Sequence, residues 1–108
     1  MTVNQVSKIL DIPVRKVTLM VESGLIQCKG GRPGKGRSRE IPRRELFAVY
    51  VVYHLGKFGM KPSAIRSLLG QWGGGSIVLR PCEGMELYVN VECVQEIIEG
   101  KLQKYDGI

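Results

Sequence analysis

Apolar side chains recur along the first part of the chain at helical spacing. Val3, Val6, Ile9 and Leu10 fall on one stripe, and Thr2 with Gln5 three places on forms a capping box ahead of it. Asp11-Ile12-Pro13 stops this helix after barely two turns. A second helix begins at once, with Val14, Val17 and Val21 inward and Gly24 in the position after its end. Two short helices separated by about three residues predict a helix-turn-helix. At 100° per residue, the face opposite the valines carries Arg15, Lys16, Leu19 and Ser23, and Arg15, Lys16, Thr18 and Leu19 are the candidate DNA-binding residues of this helix. That outward set is basic at its N-terminal end, where a recognition helix (Pro13–Ser23) meets base edges.

Leu25–Cys28 reads as a short strand and Ser38–Ile41 as its return, which together predict a hairpin wing. Pro42 suits the first turn of a third helix from Arg43 to Lys57, with Leu46, Val49, Tyr50 and Tyr53 as its stripe. Val49, Val51 and Val52 give the same stretch competing strand propensity. Phe47, Tyr50, Tyr53 and Phe58 follow helical spacing and are assigned to the core, and His54 to a packed or capping role. Pro62 opens a fourth helix through Leu69, with Ile65, Leu68 and Leu69 inward. A glycine-rich linker containing Trp72 spans 70–76. Beyond it, Ile77–Leu79 and Met85–Val89 predict two strands around a Pro81–Gly84 turn. Asn90 then caps a last helix bearing Val91, Val94, Ile97, Ile98 and Leu102 on one face.

The expected fold is therefore α+β and mainly α. A winged helix-turn-helix occupies 1–69, and a β-hairpin plus helix occupies 77–108. The apolar face of the last helix either completes the monomer core or makes 77–108 an oligomerisation or effector module, forming a homodimer.

At 108 residues the chain suffices for one modest core, and 44% apolar with 24% charged residues is ordinary for a globular domain. Charge changes the picture more. Residues 1–69 hold thirteen Lys/Arg against four Asp/Glu, whereas 70–108 hold three against six. Within the first part, KGGRPGKGRSREIPRR from Lys29 to Arg44 carries seven basic residues and one acid. Its glycines allow close approach to another surface, and its arginines match phosphate geometry. Lys29, Arg32, Lys35, Arg37 and Arg39 would release counterions from a phosphate backbone. Arg43 and Arg44 stand at a helix start, where they oppose the dipole and call for an external anion. Arg15 and Lys16 suit either guanine edges or phosphates.

Other chemistry is poorly supported. GRPGKGRS at 31–38 has P-loop spacing but Arg37 in place of the lysine, and no helix follows at once. Cys28, Cys82 and Cys93 are odd in number and lack metal-ligand spacing, which predicts no disulfide framework, metal or other cofactor. No acid pair or nucleophile–base arrangement suggests an enzyme. The N-terminus lacks an apolar signal region, and Leu46–Leu55 is too short for a membrane span. The expectation is a cytoplasmic, nucleoid-associated protein that does not engage membranes.

Four pieces in order, VSKILDIPVRKV, ESGLI, SREIPRREL and HLGKFGMKPSAIRSLL, make residues 2–69 resemble the DNA-binding domain of MerR-type transcription regulators. The resemblance implies a winged helix-turn-helix on double-stranded DNA, with Arg39 matching the wing arginine that touches the DNA backbone. Thr18, Leu19 and Met20 stand where the family has an arginine and aromatics, and Ile41 where it has an aromatic. A linker, two strands and a short helix replace the family's long dimerisation helix. An excisionase-like architectural role fits the same residues. So does a winged-helix protein-interaction module of antirepressor type, since an exposed Leu19 suits a protein groove.

Overall fold

A computed structural model describes residues 1–28, 40–70 and 77–106. Five helices and one antiparallel hairpin follow in the order α1 (Val3–Leu10), α2 (Val14–Glu22), α3 (Leu46–Gly56), α4 (Pro62–Gly70), β1 (Ile77–Cys82), β2 (Met85–Val89) and α5 (Val91–Asp106). The architecture is mainly helical with a small two-stranded sheet.

The capping box ahead of α1 forms in full. The Gln5 backbone N–H donates to Thr2 Oγ1 at 3.2 Å, and the Thr2 N–H to Gln5 Oε1 at 2.9 Å. Asp11 ends α1 in a left-handed conformation, with φ of 55°. Ile12 then turns inward and is almost wholly buried, so the chain re-enters a helix after only three residues. Helix α2 closes in a Schellman motif. The Leu25 N–H donates to the Met20 carbonyl at 3.0 Å and the Gly24 N–H to that of Val21 at 3.2 Å, with Gly24 at φ of 80°.

Helix α3 is the centre of the packing. Leu46, Phe47, Ala48, Val49, Val51, Val52 and Leu55 are all buried, and α2, α4 and α5 pack against it. A helix apolar on every side requires such neighbours. The expected start at Arg43 becomes a 3-10 turn, Arg43–Glu45, with the α-helix beginning at Leu46. Glu45 places a carboxylate at that helix's positive end. Helix α4 inserts Ile65, fully buried, with Leu68 and Leu69 packed alongside.

In the hairpin, Ile77 pairs with Val89 and Val78 with Tyr88, and a register shift follows between Leu79 and Cys82. The turn is Glu83-Gly84, with Gly84 at φ of 83°; Pro81 lies within β1, not in the turn. Among the described side chains of the hairpin, buried Ile77 and half-buried Val89 join the core at its base. Asn90 caps α5, its Oδ1 accepting from the Cys93 N–H at 3.0 Å. Val91, Ile98 and Leu102 enter the same core as α1 and α3, while Ile97 is 40% exposed. The buried part of this helix's apolar face is thus covered within the chain itself.

Several side chains differ from expectation. Leu25–Cys28 form no strand, because the Schellman bonds turn the chain after α2. Phe58 is 80% exposed, because α3 has already ended at Gly56 and helical spacing no longer governs its direction. Val14 is exposed too, since Ile12 fills the core at that end of α2. The second half of the expected wing, Ser38–Ile41, is described only from Glu40. There, the Ile41 N–H donates to the Met1 carbonyl at 2.6 Å, and the Met1 nitrogen reaches Glu40 Oε1 and the Ile41 carbonyl, each at 2.9 Å. The linker at 71–76, including Trp72, lies outside the described residues.

Nothing lies within 4 Å of a Cβ built on Gly24. Gly24→Ala should therefore cost only the left-handed backbone strain, about 1–2 kcal/mol in chemical denaturation. A loss well above that would mean that the motif also holds the following chain in place.

Candidate nucleic-acid interface

Pro13 stands immediately before α2, and its carbonyl accepts from the Lys16 N–H at 2.9 Å and the Val17 N–H at 3.2 Å. Proline suits this position because its fixed φ needs no donor there. The inward stripe is Val17, Met20 and Val21, which fixes the rotation of the helix about its axis. Arg15, Lys16, Leu19 and Ser23 consequently face solvent, as the periodicity predicts, and Thr18 is half-buried between the faces. No acid lies in the first turn, and neither Arg15 nor Lys16 has an ion-pair partner among the described residues. Two uncompensated cations thus stand at the positive end of a helix dipole, where an added anion is favoured.

Beside this face lies a groove of about 440 Å³ between α2, the end of α3 and the start of α4. That volume falls within the span of roughly 300–1,000 Å³ common to binding clefts. Leu19, Met20, Leu25, Val52 and Met60 supply apolar lining. Among the described residues, Lys16 from α2 and Lys57 from the end of α3 are the charged ones in the wall, and none is acidic. Lys57 is held over the Tyr53 ring, its Nζ 4.6 Å from the centroid. Lys57 and Met60 were not singled out in the sequence. The available signal was the glycine-hinged GKFGMKP turn, which carries two lysines and an aromatic.

Arg43 and Arg44 stand elsewhere. They line a separate cleft of about 390 Å³ against α5, together with Gln95 and Glu99, and it shares no residue with the α2 groove. Arg43 Nη2 lies 3.1 Å from Asp106 Oδ2, with both side chains more than half exposed. The anion expected for Arg43 is therefore present within the chain, on its acidic last helix. An exposed pair of this kind contributes little, about 0–1 kcal/mol. Arg44 has no ion-pair partner among the described residues.

Lys29, Arg32, Lys35, Arg37 and Arg39, and the P-loop-like stretch 31–38, lie outside the described residues. Their anchors are described: Cys28 follows the Schellman turn of α2, and Glu40-Ile41 is bonded to Met1. Cys28 is half-buried, with its Sγ 3.8 Å from the Ile26 carbonyl, and Cys93 is exposed. Among the described residues, no three His, Cys, Asp or Glu side chains converge to hold a metal ion. None of their helices is long and apolar enough to cross a membrane. No protein-family model matches the sequence, and no curated protein shows significant similarity to it.

His54 lies against two tyrosines, with ring centroids 4.3 Å from Tyr50 and 5.1 Å from Tyr53. Burial, then the charges of Lys57 and Lys101, push its pKa below the ordinary 6.5. The fold thus favours neutral imidazole. Above pH 6.5 folded and unfolded chains hold it alike; as pH falls below 6.5 the unfolded chain takes up the proton first, and stability declines until the folded pKa is passed. Denaturation midpoints from pH 7.5 to 5 should show this decline, and His54→Gln should flatten it (roughly the range in which histidine titrates). An unchanged pH profile in the variant would remove His54 as its source.

Proposed function

We propose that this chain binds double-stranded DNA as a helix-turn-helix protein, with α2 as the recognition helix and the basic segment 29–39 along a neighbouring phosphate track. The observation that carries the reading is the outer face of α2. The buried Val17-Met20-Val21 stripe turns Arg15, Lys16 and Leu19 outward, and the two cations have no counter-ion among the described residues. The marked excess of basic residues in 1–69 supports it from the sequence. Regulation of transcription is the role we favour. An architectural role in recombination, of the excisionase kind, uses the same contacts.

A protein-interaction role has one observation in its favour: Leu19 is 51% exposed and lines an apolar groove. Leucine there gains more from a protein surface than from phosphate.

A salt titration against a mixed-sequence duplex, read by fluorescence anisotropy, tests the DNA reading first. Several phosphate contacts require log K to fall with log salt more steeply than about −3. Arg15→Ala and Lys16→Ala should each reduce that slope by about 1 if they touch phosphates. Arg37→Glu with Arg39→Glu should lower affinity without unfolding the protein. No binding at low salt would rule out the DNA reading.

Leu19 separates the two readings. Leu19→Arg should tighten DNA binding, because it adds a cation to the outer face, and should abolish binding in a protein groove. Weaker DNA binding by this variant would place the recognition surface elsewhere.

A further inference from the structure

Two helical stripes border the groove beside α2. Lys16, Leu19, Met20 and Ser23 recur at three- and four-residue steps and so stand on one side of α2. Val52, Tyr53, Gly56 and Lys57 recur at four-residue steps at the end of α3. Met20 and Val52 are buried and form the floor, whereas Lys16 and Lys57 are exposed at the walls.

Nothing in the fold requires glycine at position 56. Left-handed backbone occurs, among the described glycines, at Gly24, Gly59 and Gly84, and Gly56 is helical. Nothing lies within 4 Å of a Cβ built on Gly56, so no neighbour needs the space. Glycine is also a poorer helix former than any ordinary side-chain-bearing residue. Its missing side chain leaves the groove open.

The charge along this groove has one sign. Lys16 and Lys57 have no ion-pair partner among the described residues, and none of the described lining residues is acidic. Like charges along an apolar cleft focus a positive potential within it. Ser23 Oγ donates to the Met20 carbonyl at 3.2 Å, which leaves the ammonium groups to meet an incoming acceptor. The Tyr53 ring holds the Lys57 Nζ at 4.6 Å from its centroid, so less freedom is lost when an anion arrives. The volume of about 440 Å³ suits a small molecule. A stable protein interface engages about 20–30 residues a side, more than two short stripes and one turn supply.

We propose that this groove binds a small organic monoanion with an apolar body, of the aryl or short-chain alkyl carboxylate class. The apolar body lies against Met20, Val52 and Met60, and the carboxylate faces the lysines. The inference does not depend on the DNA reading. Lys16 belongs to both surfaces, however, so an occupied groove competes with a polyanion on the outer face of α2.

Four methionines give the test a built-in control. Met20 and Met60 line the groove, and Met1 and Met85 lie outside its lining. The full chain, labelled with carbon-13 at the methionine methyls, is titrated by NMR with naphthoate and, separately, with neutral naphthalenemethanol. Naphthoate should shift the Met20 and Met60 signals saturably and leave those of Met1 and Met85 in place. Naphthalenemethanol should bind at least about tenfold more weakly, because hydrogen bonds between ionised groups are the stronger ones. Lys16→Gln with Lys57→Gln should weaken naphthoate binding at least about tenfold and leave naphthalenemethanol binding unchanged. Gly56→Leu adds a side chain where the space is open and should abolish binding of both. Each replaced residue is exposed, and leucine favours helix over glycine, so circular dichroism should show the fold retained.

No saturable shift at Met20 and Met60 overturns the proposal. Equal shifts at all four methionines also overturn it, because binding is then not confined to the groove. So does equal affinity for the alcohol, which would leave an apolar site with no selection for an anion. Unchanged naphthoate binding by Gly56→Leu would place the ligand elsewhere.

Discussion

The burial of α3 is the constraint on which the rest of the structure depends. Seven of its eleven residues are buried, and they are distributed around the whole helix instead of along one stripe. Each large apolar side chain removed from water contributes about 1.5–3 kcal/mol, but only if something covers it. Helix α2 covers one side, α4 a second and α5 a third. The acidic C-terminal helix is therefore part of the same core as the basic N-terminal half. The contact between Arg43 and Asp106 at the periphery follows from that placement.

From this central helix the candidate interface follows by a short chain of causes. Packing of Val17, Met20 and Val21 sets the rotation of α2, and that rotation presents Arg15, Lys16 and Leu19 to solvent. The same packing leaves a channel between α2 and the α3–α4 turn, lined by Leu19 on one side and Met60 on the other. One helix face thus offers two chemistries at once, cationic at its N-terminal end and apolar towards the groove. A polyanion and an apolar partner surface would each find part of what they need there, with Lys16 common to both.

Much of this was legible in the sequence. The capping box at Thr2, the glycine stop at Gly24 and the Asn90 cap are local, and each is decided within a few residues. The outer face of α2 was legible for the same reason, because helical period fixes it once two or three inward residues are known. What was not legible depends on distant neighbours. Val49, Val51 and Val52 favour strand in isolation, and the surrounding helices override that preference. Phe58 follows the stripe of α3 by number, but the helix ends before reaching it. Arg43 invites an external anion until the fold brings Asp106, sixty-three residues later, beside it. The groove joins residues of α2 with those of the α3–α4 turn, a juxtaposition that no local period encodes.

The pairing of Met1 with Ile41 has a consequence for the order of assembly. Helices α1 and α2 meet through neighbours in sequence, so their contact closes a very short loop. The Ile41 hydrogen bond to Met1 spans forty residues and carries a larger entropy of closure, which grows with the logarithm of the loop length. Folding can thus complete the helix pair before the basic segment is tied down at its far end, an order that φ-values at Ile12 and Ile41 would measure. Ile41 is also wholly buried in the common core, so Glu40 and Ile41, where the chain rejoins the described structure, stay fixed for as long as that core stays closed.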